Sequence, residues 1–262
     1  MAFDYKKEYK EYYMPSQKPA IVEIPEMNYI AVTGKGDPNE AKGEYSEAMN
    51  LLYGIAYTIK MSHKGDHKID GFFEYVVPPL EGLWWQDGVG SVEEGDGVEG
   101  GDGVEGLEGN AGLESVKGAE GTQAICRAKS CESNADLKAA KGVDFSRKDT
   151  FQWISLIRLP DFVTKADFEW AKMEAAKKKK TDFSKVQFMT YAEGLCVQSM
   201  HIGAYDDEPA TIAAMADHAE KNGYIINITK NRYHHEIYLT DPRKVETAKL
   251  KTIVRHPIIK MR

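Results

Sequence analysis

Apolar residues along the chain recur at two spacings, and each spacing predicts an element. Tyr29-Ile30-Ala31-Val32-Thr33 is a β-branched and aromatic run that ends at the turn Gly34-Lys35-Gly36-Asp37-Pro38, which reads as a strand. Over 44–61, Tyr45, Ala48, Met49, Leu52, Ile55 or Ala56, and Ile59 fall at three- and four-residue spacing, one face of a helix. A β-rich run follows over 71–77, closed by Pro78-Pro79, and another over 151–159. The order then repeats. A strand over 195–202 enters a turn at 203–207, and a helix over 209–221 carries the stripe Ile212, Met215 and Ala219. Pro209 suits the first turn of that helix, Asp207 or Glu208 can cap it, and Gly223 ends it. Strands over 235–239 and 251–259 complete the second set. Between the sets, a connecting helix over 164–180 opens with Thr164 and Asp167 at capping-box spacing and turns Phe168, Ala171 and Ala175 to one side.

Each set reads strand–helix–strand–strand, the first over 20–87 plus 143–160 and the second over 186–259. An α+β fold follows, in which two such repeats share a pseudo-two-fold antiparallel sheet. The helices are expected on one face and a ligand cleft on the other. The pattern GFFEYVVP of the first set matches HHEIYLTDP of the second, which aligns Glu74 with Glu236.

Composition changes this picture at one place. Residues 88–142 hold 11 acidic and 5 basic residues, nearly all of the formal net charge of −7, and contain GDGVEG twice. So little apolar surface cannot offset the entropy of ordering the segment, which reads as a disordered acidic insertion with at most a weak helix over 124–141. The rest of the chain is close to neutral and lacks a basic nucleic-acid footprint. Lys177-Lys178-Lys179-Lys180 falls at the end of the connecting helix, where cations complement the helix dipole. Three cysteines, no apolar run of membrane length and no signal-like N-terminus together point to a cytoplasmic protein. A monomer or weak homodimer is expected.

Candidate chemistry centres on Glu236. Alternation along His234-His235-Glu236-Ile237-Tyr238 puts Ile237 under a helix and groups His234, Glu236 and Tyr238 on the opposite face, toward the cleft. A carboxylate among aromatic rings suits either attraction of a cationic ligand or general-base activation of a water. Trp84 and Trp85 are adjacent strand residues, so one of them faces the cleft, with Trp85 narrowly preferred; Trp153 is either another wall or core. Tyr205 is either a hydrogen-bond donor to a ligand or a turn residue packed on the sheet edge. Glu74 and Glu81 are weaker candidates, the first as the repeat partner of Glu236 and the second in a Pro/Gly turn. His234 and His235 point to opposite faces and make a poor metal pair, so neither metal nor cofactor is expected. Signatures of a phosphate loop, a serine hydrolase or a redox CxxC are missing from the sequence.

Several segments in order resemble the GyrI-like small-molecule-binding family: IVEIPEMNYIAVTGKGDPNE, PPLEGLWWQDG, FQWISLIRLPDFVT, MHIGAYDDEPATIAAM and HHEIYLTDPRK with RHPI near the end. The resemblance implies the tandem strand–helix–strand–strand (SHS2) fold also used by effector domains of AraC- and MerR-type multidrug regulators. It further implies an aromatic-lined cleft with a central glutamate. The chain is most similar to the stand-alone type, which includes cyclopropanoid cyclopropyl hydrolases that open electrophilic xenobiotics. The resemblance thus implies binding of hydrophobic or planar small molecules, with or without hydrolysis. The alternative is a non-catalytic module, a multidrug sensor or gyrase modulator. A DNA-binding regulator is not expected, because no helix-turn-helix precedes the domain. The insertion after Leu83-Trp84-Trp85-Gln86-Asp87 is the main departure from the family pattern.

Overall fold

The computed structural model describes residues 2–86 and 146–261. The acidic insertion expected over 88–142 lies outside the described residues. In chain order the main elements are α1 (Tyr5–Glu8), α2 (Lys10–Tyr13), β1 (Ala20–Lys35), α3 (Glu44–Lys60), β2 (Leu80–Trp85), β3 (Gln152–Arg158), α4 (Lys165–Lys179), β4 (Gln187–Ile202), α5 (Glu208–Lys221), β5 (Tyr224–Ile226), β6 (His234–Tyr238) and β7 (Lys251–Lys260). The strands run antiparallel in the order β4–β1–β3–β2–β6–β7, and β7 pairs back onto β4. The sheet therefore curves into a closed six-stranded barrel, to which β5 adds along β7.

Because antiparallel partners share a face, the register sorts every side chain to one side of this barrel. Ile30 and Val32 of β1, Trp84 of β2, and Trp153 and Ile157 of β3 lie on the outside under α3, against Leu52, Ile55 and Ile59. Complete burial of each of those three helix residues is worth roughly 1.5–3 kcal/mol. Val197, Val254 and Ile258 lie on the outside under α5, against Ile212, Met215 and Ala219. The helix α4 packs on α3 through Phe168, Ala171 and Ala175, and its start carries the complete Thr164–Asp167 capping box. Tyr29, Ala31, Leu83, Leu156 and Cys196 point to the inside, as do Met200, Ile237 and Ile253. Tyr5 and Tyr13 of the N-terminal helices join this inner cluster.

One glycine sets the inner polar groups. Gly194, opposite Ile24 in the β1–β4 ladder, has φ 72°, a left-handed conformation that side-chain-bearing residues rarely adopt. The alternation slips there, so that Glu193 and Cys196, three residues apart, both face inward.

Three expectations are corrected. The run 71–77 forms no extended strand: it makes one isolated bridge, Phe3↔Tyr75, and its aromatics pack with Phe162 near the N-terminus. The strand is β2, buried along almost its whole length and therefore without the alternation that would reveal it. Ile237 lies inside the barrel and not under a helix, so the helices share the face of Glu236. A closed barrel has its own buried interior, which a sheet with two open faces lacks. Finally, Asp207 makes no capping bond; a 3₁₀ turn over Tyr205–Asp207 leads directly into α5.

Candidate functional site

The outer face of β6 presents His234, Glu236 and Tyr238, and the β2–β6 register places Trp84, Gly82 and Leu80 directly beside them. Gly82 lies opposite Glu236, and a Cβ there would stand 2.5 Å from Trp84 Nε1 and 3.0 Å from the Tyr238 hydroxyl. The absent side chain is what lets Trp84 Nε1 donate to the Tyr238 oxygen at 3.0 Å. Tyr45 from the first turn of α3 leans on Trp84 and Trp153, with ring centroids 5.4 and 5.1 Å apart. From the other side, Tyr205 in the turn before α5 meets Tyr238 edge-on at 5.9 Å. Tyr205 and Tyr238 are partly buried, whereas the Glu236 side chain is only 8 % exposed.

Behind the rings runs a polar chain. Glu236 Oε1 lies 2.9 Å from His234 Nε2, and His234 Nδ1 lies 2.7 Å from Nε2 of His256 on β7. Glu208, the first residue of α5, is fully buried, and neither of its carboxylate oxygens has a hydrogen-bond partner. Its Oε2 stands 3.9 Å from His234 Nε2. Glu208, His234 and Glu236 each offer one ligand atom within 4.8 Å of the other two, a set that could hold a metal ion.

The electrostatics follow from burial beside charge. Desolvation, and then the Glu236 carboxylate, hold Glu208 well above the usual carboxylate range. Burial and the two glutamates push the Tyr205 phenol up to about 12, so it stays protonated and donates at neutral pH. Tyr238 and Tyr45 are raised chiefly by burial, with Glu236 contributing to both. Burial, helped by His234, keeps His256 well below the ordinary histidine range and hence neutral.

Of the residues expected from the sequence, Glu236, His234, Tyr238, Trp84 and Tyr205 come together. Trp153 is on the same face but completely buried under α3, with its indole N–H unpartnered. Trp85 departs from the expectation: it faces the other side of the sheet and leans on Tyr233 at 5.1 Å, so Trp84 is the tryptophan beside Glu236. The preference failed because it rested on a near-even choice between neighbours. Glu81 points inside the barrel, where Tyr13 and His235 hold it. Glu74 is exposed and outside any strand, so it shares no face with Glu236. The partner opposite Glu236 is Gly82.

Three residues escaped the sequence reading as site residues: Glu208, His256 and Tyr45. Glu208 was visible only as one of two possible helix caps. His256 becomes legible once β6 and β7 are put in register, because it then shares the parity of His234. Tyr45 reads simply as helix core.

Comparison with known proteins places this geometry. The GyrI-like small molecule binding domain matches residues 160–258, from just before α4 into β7. A hydrolase from Listeria innocua, known from its crystal structure, is 37 % identical, with a TM-score of 0.72, over 98 % of this chain and 100 % of that one. A conserved, uncharacterized protein from Listeria innocua is 38 % identical, with a TM-score of 0.74 and the same coverage. No curated protein matches the chain. With a shared fold over full length, and a domain match that contains His234, Glu236, Tyr205, Glu208 and His256, the chain belongs to the GyrI-like small-molecule-binding family.

Proposed function

We propose that the Glu236 face binds hydrophobic, planar small molecules between aromatic rings and hydrolyses those that carry an electrophilic carbon. The observation that carries this reading is a nearly buried carboxylate, Glu236, held by His234 and flanked by two partly buried tyrosines. That a 37 % identical protein from Listeria innocua is a hydrolase supports the catalytic half of it. The order strand–helix–strand–strand in the first half recurs in the second once the short added strand β5 is set aside, and with β1 paired to β4 and β2 to β6 it supports reading the fold as two SHS2 repeats about a pseudo-two-fold axis.

In the proposed reaction Tyr205, Tyr238 and Trp84 line the aromatic cage. Glu236 takes a proton from a water as its oxygen bonds to the electrophilic carbon. The bond from that carbon to the leaving group breaks, and its electron pair passes to a conjugated oxygen that accepts a hydrogen bond from Tyr205. The proton on Glu236 then returns through solvent to the leaving group, so that one water is consumed and the enzyme is restored. For a planar organic cation without an electrophilic centre, the same carboxylate serves as counter-charge and the protein only binds.

The test is incubation with a cyclopropane-bearing alkylator or an isothiocyanate, followed by mass spectrometry of the product. Wild type is expected to form the water adduct over many turnovers. Glu236→Gln should lose about 10²–10⁴-fold in rate while retaining the ligand. Tight stoichiometric binding without turnover in wild type would overturn the hydrolytic reading and leave a sensor.

A further inference from the structure

We propose that Glu208, His234 and Glu236 form a binding site for one divalent transition-metal ion of the zinc class. The starting point is that Glu208 has no satisfactory state in the protein alone. As a carboxylate it is a fully buried charge without a single donor to either oxygen, which is costly. As a neutral acid it gains an O–H that finds no acceptor within hydrogen-bond distance, because neither oxygen has any partner. A cation between Glu208 and Glu236 removes both problems: it neutralises two buried carboxylates and supplies the missing contact.

The distances fit that role. Zinc–nitrogen and zinc–oxygen bonds of about 2.0–2.2 Å in tetrahedral geometry separate the donor atoms by roughly 3.4 Å. The donor atoms lie 2.9 Å apart for His234 Nε2 and Glu236 Oε1, and 3.9 Å for His234 Nε2 and Glu208 Oε2. The two values straddle the ideal, and all three ligand atoms fall within 4.8 Å of one another. Imidazole with two carboxylates is a donor set for zinc, manganese or iron, and the absence of sulfur disfavours copper(I).

The second layer is also present. A metal-binding histidine needs its distal ring nitrogen occupied so that the other carries the lone pair. Nδ1 of His234 lies 2.7 Å from Nε2 of His256, so an Nδ1–H of His234 can donate to a His256 acceptor while the Nε2 lone pair points to the ion shared with Glu236. Three ligands leave a fourth position for water or an anionic ligand atom. His235 takes no part: it points into the barrel between Glu81 and Glu193. The proposal goes beyond the hydrolytic reading, since metal retention can be measured without any substrate and either can fail alone.

The full-length protein is stripped with chelator, dialysed against zinc or cobalt(II), and its retained metal is counted by mass spectrometry. Expected is one equivalent per chain, with cobalt showing the weak visible bands of a nitrogen–oxygen site. Glu208→Gln and Glu236→Gln should each weaken retention at least tenfold, while Glu74→Gln, on the exposed surface, changes nothing. Circular dichroism of the stripped variants checks that they fold; these near-isosteric changes remove charge without removing volume. No retained metal in the wild type, or equal retention in Glu208→Gln, overturns the proposal. So does an intense thiolate-to-cobalt charge-transfer band, which would assign the metal to cysteine.

Discussion

His234 and His235 are neighbours in sequence that open onto two different environments, one on each side of a single strand. Inside the barrel, His235 sits between Glu81, 3.0 Å away, and Glu193, 3.1 Å away. Arg255 binds the same Glu193 at 2.9 Å, and Gln198 and Tyr13 complete the set. Two cations meet two carboxylates, and each named group has a partner. Outside, His234 faces Glu236 and Glu208, both carboxylates, with no lysine or arginine bonded to either among the described residues. The same residue types are therefore used to opposite ends. A buried network that is closed by its own charges holds a fold together; one left with a carboxyl group that nothing in the described residues binds is arranged for something that arrives from elsewhere.

The contrast can be broken most severely from the inside. Arg255→Met should cost about 3–5 kcal/mol in urea unfolding, because it strands a buried Glu193 charge. A loss below 1 kcal/mol would mean that His235 alone satisfies Glu193. A pH scan of thermal stability comes next. His235 is lifted from 6.5 to about 9, chiefly by Glu193 and Glu81 overcoming burial, so its stabilisation is complete below about 6.5 and lost as pH rises through about 9. Glu193 is held down from 4.5 to about 2 by His235 and Arg255 against the opposing effect of burial, so its share is complete above about 4.5 and lost as pH falls through about 2. A shift of two to three units corresponds to an alkaline loss on the order of 3 kcal/mol, and His235→Gln should flatten that limb.

The smallest effect belongs to the outside. In chelator-treated protein, Glu208→Gln should raise stability by about 1 kcal/mol, since it removes a buried carboxylate that nothing binds. Because the Glu208 carboxyl is raised, its folded form holds a proton longer than the unfolded chain does. Wild-type stability therefore falls as pH climbs above the ordinary carboxylate range, and the variant should lack that decline. Destabilisation by Glu208→Gln in the stripped protein would show that the residue is already satisfied and would erase the contrast.

Much of this was legible in the chain. The helices α3 and α4 announce themselves by three- and four-residue spacing and a capping box, because each buries one stripe against the barrel. Alternation grouped His234, Glu236 and Tyr238 correctly for the same reason. The strand β2 stayed hidden because both of its faces are buried and Gly82 mimics a turn. The side on which Glu236 lies was misread, since a pattern of alternation separates two faces without saying which one closes into a barrel. Glu208 was hidden by its neighbours: in an acidic turn before a proline, nothing marks one of three acids as the buried one.

The closure of the barrel has a kinetic consequence. Closure joins β4 to β7 and also β1 to β4, and the second pair, more than a hundred residues apart in the chain, must meet before the ring exists. Arg255 and Gln198 are then bonded to backbone oxygens of Tyr12 and Glu11, which come from the far end of the chain. Contacts so distant in sequence are slow to form. The outer helices are built from local contacts, whereas native burial of Arg255 and Gln198 also requires the segment around Glu11 and Tyr12 to dock. The ring is therefore expected to close late in folding, after its local elements have formed.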